Sequence, residues 1–405
     1  MHLFSFFRHS FDYICGMDSI LIKNVLLESR KTNILIEGKR FVSLDAADGC
    51  EASHTIEAEG LAIIPALYNA HTHASMSLLR GYADDMPLQK WLTDYIWPYE
   101  DGLTPQDIRR GSDIAIREMV GTGSVMFNDM YFEIEQTIDA VDKSGMRALI
   151  GITVMDNHSL AQTEEKKHFV REWKDPTGGR IQLAIAPHSI YTVSGGRLRE
   201  CVEFARENGL KIHTHVSETR QEVDDCLKQH GTTPVRYLDS LGILGPDVIA
   251  AHCVHLDEEE WDILAERGVT AVNCPCSNMK LGSGRFDYET AIRSGARIAL
   301  GTDGNSSNNN LDLREEMKFA ALLAKVAGDT TLLPANEVMK WATVNGAAAM
   351  GVDAGIIEAG RLADCILVSL TADKMVPCHN LISNWVYSAD SSCIANVICN
   401  GQIIK

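Results

Sequence analysis

Two stretches decide the fold: Ile63-Ile-Pro-Ala-Leu-Tyr-Asn-Ala-His-Thr-His73 and Ala296-Arg-Ile-Ala-Leu-Gly-Thr-Asp303. The first is an apolar run closed by two histidines two residues apart. In a strand, residues i and i+2 share a face, so both imidazoles point the same way, as a metal requires. The second is another apolar run, closed by an aspartate. Between them Lys211-Ile-His-Thr-His215 is followed three residues later by Glu218. Histidine and carboxylate ligands from three strand ends, with an acid beside them, describe a hydrolytic rather than a structural metal site.

Working outward, short apolar runs alternate with amphipathic stretches from Leu61 to about Gly351. The strands expected are Ile63–Ala70, Ser124–Asp129, Arg147–Thr153, Ile181–Ala186, Leu210–His215, Val248–Ala251, Thr270–Asn273 and Ala296–Leu300. Helices are expected between them, at Pro105–Val120, Glu133–Lys143, Gly196–Asn208, Thr233–Leu241 and Glu258–Arg267. Eight such strand–helix units predict a (β/α)8 TIM barrel. A doubly wound open sheet is the alternative, but it would keep His71 and Asp303 apart, whereas closure brings the first and last strands together. Residues 17–64 and 353–405 have β character with turn signals, Asn400-Gly401 among them. They are expected to form a composite β-sandwich beside a barrel of residues 65–352. Residues 1–16 are Phe-rich and lack a cleavage-like end. They read as a disordered extension or a mis-called start, with Met17 the better beginning.

Composition narrows the function. The chain has 405 residues, with 37 basic against 55 acidic side chains and a formal net charge of −18. Nucleic-acid binding needs clustered Lys and Arg, so no nucleic-acid partner is expected. No apolar window is long enough for a membrane span. The 11 cysteines are an odd, scattered set, read as reduced thiols of a cytoplasmic protein. Pro275-Cys276 is not followed by the second cysteine of the zinc cytidine-deaminase pattern, which excludes that fold.

In barrels of this kind catalytic groups sit at the carboxyl ends of strands. His71, His73, Asn128, Asp129, His188, His215, His252, Asn273 and Asp303 all occupy that position. His213 shares a face with His215 one layer deeper and reads as core or as support for a ligand.

The chain resembles the amidohydrolase superfamily, and within it the group that deaminates 5′-methylthioadenosine and S-adenosylhomocysteine. The matching pieces are Asn69 to Gly81, Trp91 to Glu100 (WLTDYIWPYE), Ala186-Pro-His-Ser189, His213-Thr-His-Val-Ser-Glu218, Ala251-His-Cys-Val-His255, Ser277 to Lys280 and Gly301 to Glu316. The resemblance implies that His71, His73, His215 and Asp303 hold one divalent metal, with zinc favoured for three nitrogens and a carboxylate and iron(II) the alternative. The lysine that bridges two metals in binuclear relatives is missing from the end of the fourth strand. Glu218 would carry a proton from water to the ring, Asp303 would accept the second proton, and His252 would orient the water without being a ligand. Glu100 would hold the ribose hydroxyls, while Arg147 and His188 would touch the nucleoside. A second substrate arginine after strand three has no match in Val154-Met-Asp-Asn-His158. The partner implied is a small-molecule nucleoside, and the assembly a homodimer or tetramer. Guanine, cytosine or triazine chemistry on the same scaffold is the alternative; a non-catalytic scaffold protein would be expected to lack the ligands.

Overall fold

The structure is a computed structural model and describes residues 18–326 and 328–405. The expected extension at 1–16 lies outside the described residues. Apolar residues alternate in Ser19–Leu27 (β1) and Arg30–Glu37 (β2), which pair antiparallel. Arg40–Ser43 (β3), His54–Glu57 (β4) and Leu61–Pro65 (β5) complete the first part of this sheet. Eight parallel strands follow: Leu67–Thr72 (β6), Ser124–Tyr131 (β7), Arg147–Val154 (β8), Ile181–Pro187 (β9), Lys211–Val216 (β10), Val248–His252 (β11), Thr270–Asn273 (β12) and Arg297–Leu300 (β13). Cys365–Ser369 (β14), Ile394–Cys399 (β15) and Gln402–Ile403 (β16) then return to the first sheet.

β6 to β13 pair in sequence order, making a nearly closed TIM barrel. Between first and last strands a side chain replaces the ladder. Asn69 Oδ1 accepts the Thr302 N–H at 3.0 Å, and its Nδ2 donates to Thr302 Oγ1 at 2.7 Å. The Asp303 N–H donates to the His71 carbonyl at 3.1 Å. A Cβ at Gly301 would lie 2.7 Å from the Cβ of His71, so only glycine lets these strands approach this closely. Every residue of β7 and β8 is buried, as a parallel sheet covered on both faces demands.

The run Ile63–Ala70, expected as one barrel strand, divides at Ala66. β5 pairs with β14 in the outer sheet, and the barrel begins at Leu67, whose N–H donates to the Gly123 carbonyl. Pro65 offers no N–H to a ladder, but a run buried on both faces shows no boundary in its hydropathy. The outer sheet runs β16-β15-β14-β5-β1-β2-β3, with β4 beside β1. Its far edge bends back, so that Arg40 bridges Leu362 and Phe41 N–H reaches the Arg361 carbonyl. The two halves enclose a separate apolar core that includes Ile22, Ile34, Phe41, Ile63, Leu367 and Ile398.

Helices cover the barrel. Pro105–Gly121 starts at a Thr104/Asp107 capping box, and Glu258–Arg267 at an Asp257/Glu260 box, where the acidic run favours a helix start. No helix among the described residues is long and apolar enough to cross a membrane.

Candidate metal centre and active-site cavity

The carboxyl ends of β6, β10 and β13 bring His71, His73, His215 and Asp303 together. His71 Nε2 and His73 Nε2 each lie 3.3 Å from Asp303 Oδ1. His215 Nε2 lies 3.3 Å from His73 Nε2. Zinc–ligand bonds of about 2.0–2.1 Å give a tetrahedral edge of roughly 3.3–3.4 Å, which these three spacings equal; His71, His73 and Asp303 form one close group, and His215 falls in a second with His71 and His252. His71 Nε2 is buried without a hydrogen-bond partner, a costly state unless a cation sits there. The other ring nitrogens are committed. His73 Nδ1 donates to the Met130 carbonyl at 2.6 Å, His215 Nδ1 to the His188 carbonyl at 2.7 Å, and His71 Nδ1 meets His213 Nε2 at 2.8 Å. Such partners orient ligating imidazoles and leave Nε2 for the metal. His213 therefore supports a ligand. His252 also stands close enough to His71 and His215 to join a ligand set.

Charge follows burial and neighbours. Burial pushes the His71 imidazole down to about 4 and that of His188 down to about 3, so both are neutral. Burial opposes charge on His73 too, but the Asp303 carboxylate outweighs it and lifts the imidazole to about 9. Burial works against the Asp303 carboxylate, yet His71 and His73 hold it well below its ordinary range. Non-glycine residues with positive φ cluster at these strand ends: Ser217 (50°), His252 (72°), Cys253 (49°) and Asp303 (60°). Such strain persists where the surroundings impose it, typically at functional sites.

Three of the donors, His73, His215 and Asp303, line a cavity together with Trp91, Trp97, Glu100, Tyr131, His188 and Glu218, while His71 is fully buried outside its lining. Glu218 Oε1 accepts from Ser283 Oγ at 3.2 Å, and Oε2 lies 3.9 Å from His252 Nε2. Burial raises the Glu218 carboxyl above its usual value, as suits a group that takes up a proton. His252 Nδ1 donates to Asn278 Oδ1 at 2.9 Å, leaving Nε2 towards Glu218. Glu100, in the same cavity lining, accepts from the Tyr131 hydroxyl at 2.6 Å.

Arg147 is the exception among the expected site residues. It opens β8 at the amino end of the barrel, away from the cavity. Its Nε donates to Asp364 Oδ2 at 2.9 Å and its Nη2 to Asn400 Oδ1 at 2.6 Å, with the side chain 2% exposed. A buried ion pair to the outer sheet leaves nothing of the guanidinium for a substrate. Several supports went unassigned from sequence. Ser277 Oγ and Ser307 Oγ donate to Asp303 Oδ2 at 2.6 and 2.8 Å, Tyr131 orients Glu100, and Glu222 lies behind Glu218. The serines lie inside stretches that carry the resemblance. Tyr131 gives no signal beyond its place at a strand end.

A parallel barrel with a His/Asp metal site at its carboxyl face defines a metal-dependent hydrolase. The chain belongs to the Amidohydrolase family, which matches residues 62–404, and it is a hydrolase of C–N bonds. It is 43% identical over 383 residues to the 5-methylthioadenosine/S-adenosylhomocysteine deaminase of Pelotomaculum thermopropionicum, covering 93% of this chain and 88% of that protein. It is also 43% identical over 382 residues to the 5′-deoxyadenosine deaminase of Methanothermobacter thermautotrophicus, covering 93% and 89%. Among solved structures, an adenosine deaminase from Xanthomonas campestris with bound zinc superposes with a TM-score of 0.88 at 34% identity, covering 95% of this chain and 92% of that one.

Proposed function

We propose that the protein hydrolyses the 6-amino group of an adenine nucleoside bearing a 5′-substituent of the methylthio, homocysteinyl or 5′-deoxy type, releasing ammonia and the inosine product. One observation carries this reading. One cavity lining brings together the donors His73, His215 and Asp303, the carboxylate of Glu218, and Glu100, which is oriented by Tyr131. A carboxylate able to accept two vicinal hydroxyls thus shares the cavity with the groups proposed to act on the ring. The names of the relatives support the same substrate class.

His71, His73, His215 and Asp303 would hold one divalent ion, zinc before iron(II), since three nitrogens and a carboxylate suit it. When bound, the ion lowers the pKa of water towards roughly 7. Glu218 takes a proton from the attacking water and delivers it to N1 of the purine. Protonation draws electron density from C6, where the water oxygen adds. Asp303 accepts the remaining water proton and hands it to the amino group, the C6–N bond breaks, and ammonia leaves. His252 directs the water, with its ring fixed by Asn278. His188, held neutral, presents its free nitrogen to the nucleoside. Trp91 and Trp97 cover the apolar part of the cavity. The chain would act as a homodimer or tetramer.

The test is ammonia release from adenosine, 5′-deoxyadenosine, 5′-methylthioadenosine, S-adenosylhomocysteine, guanine and cytosine. The expected result is turnover of the 5′-substituted nucleosides ahead of both free bases. Preference for guanine or cytosine would move the protein to a free-base deaminase.

A further inference from the structure

Glu222 lies outside the cavity lining, yet both of its carboxylate oxygens point at the turn that carries Glu218. Oε1 accepts the Ser217 N–H at 2.9 Å and Oε2 accepts the Glu218 N–H at 2.8 Å. The side chain is buried, 5% exposed, in the first turn of the helix Arg220–His230. That helix starts at Thr219, whose Oγ1 accepts the Glu222 N–H at 3.2 Å. In a capping box the glutamate would return to the N–H of Thr219. Here it reaches one and two residues further back.

The turn needs this support. Ser217 sits at φ 50°, a conformation that costs free energy for any residue with a Cβ. The Ser217 carbonyl is engaged as well, accepting the N–H groups of Val254 at 3.2 Å and His255 at 3.0 Å. Those residues follow His252, itself at φ 72°. Ser217 thus links the segment bearing Glu218 to the segment bearing His252, with Glu222 holding its N–H side. Removing the carboxylate would leave two buried N–H groups unpaired and release Ser217 towards negative φ. The Glu218 carboxylate would then swing away from the line between water and ring.

We infer that Glu222 is a positioning residue for proton transfer, using both carboxylate oxygens to lock the Ser217–Glu218 turn and so aim Glu218 at the reacting atoms. This rests on the reading of Glu218 as the proton carrier. The full chain is compared with Glu222→Gln, which keeps the size but offers one acceptor and a clashing N–H2 group. The expected result is a fall in kcat of about 10²-fold, with KM changed less than about 3-fold and metal content retained. On a Glu218→Gln background the same substitution should remove less than about 3-fold of the remaining turnover, because the group it aims has already been disabled. Glu222→Asp, which keeps the charge but is too short for both N–H groups, gives the same pattern and serves if the glutamine variant does not fold. Amide hydrogen exchange across residues 216–219 reads the lock without any substrate, and faster exchange is expected in both variants. Unchanged exchange, a kcat within about 3-fold of the parent, or equal losses on both backgrounds would overturn the inference. A parent that deaminates no nucleoside but shows the exchange effect would end the functional reading and leave the lock standing.

Discussion

At the scale of single residues, the proposed chemistry rests on Glu218 and Glu100. Glu218→Gln keeps the shape and loses the proton carrier. Turnover should fall by roughly 10²–10⁴, while elemental analysis still finds one metal per chain. Near-normal turnover with metal in place would remove Glu218 from the mechanism. Glu100 is tested by non-additivity. Each charge-assisted hydrogen bond to a sugar hydroxyl is worth roughly 1.5–3 kcal/mol, on the order of 10- to 150-fold in kcat/KM. Glu100→Ala should cost that much with a ribonucleoside and little with its 2′,3′-dideoxy analogue, where the interaction is already missing. Equal losses with both would show that Glu100 does not read the sugar.

At the scale of elements, the helix Leu313–Lys325 braces the loops around Asp303. Its Glu316 is fully buried. Oε2 accepts the Cys276 N–H at 3.0 Å and Oε1 accepts from Asn308 Nδ2 at 2.7 Å. Asn308 Nδ2 also donates to the Thr302 carbonyl at 2.7 Å. One carboxyl thereby joins the short helices Pro275–Lys280 and Asn305–Asn308, which carry Ser277 and Ser307. Burial pushes this carboxyl from 4.5 up to about 8, against the pull of those hydrogen bonds. A folded-state value above the unfolded one means that the folded chain keeps a proton the unfolded chain has lost. Its contribution is complete below about pH 4.5 and is lost as pH rises through about 8. Denaturant unfolding at pH 5 and pH 8 should show the parent losing more stability over that interval than Glu316→Gln. Equal losses would mean that Glu316 is ionised throughout.

For the whole molecule, the junction of barrel and outer sheet turns on one buried carboxylate. Asp364 Oδ2 accepts from the Tyr68 hydroxyl at 2.6 Å and from Arg147 Nε at 2.9 Å, and its Oδ1 takes the Asn400 N–H at 2.5 Å. Tyr68 and Arg147 belong to the barrel, Asp364 and Asn400 to the sheet. Asp364→Ala would strand the Arg147 guanidinium without its counter-charge, a loss of roughly 3–5 kcal/mol, visible as a lower unfolding midpoint. Arg147→Met should also lower stability while leaving KM of the folded enzyme within about 2-fold, since the side chain lies at the far end of its strand from the cavity. A large rise in KM alone would return Arg147 to the substrate site.

The periodic pattern determined the strand–helix alternation, because strands buried on both faces read as short apolar runs separated by helical ones, and the need for His71 and Asp303 to meet chose a closed barrel over an open sheet. It also placed His71, His73, His215 and Asp303, since each terminates such a run and strand ends in a parallel barrel share one face. The run Ile63–Ala70 hid the step from outer sheet to barrel, because both parts are buried and hydropathy reports burial without naming the partner. Arg147 was assigned by resemblance. An eight-residue strand spans about 26 Å, so the first residue of β8 cannot reach a site at its other end. Glu222 stands at the spacing of an ordinary helix cap, and only the turn at Ser217 sends its oxygens to the catalytic segment. The sequence determined which residues end each strand, through local hydrophobic period. Tertiary structure decided which backbone groups and charges those residues meet, because such contacts join segments far apart in the chain and leave no periodic trace.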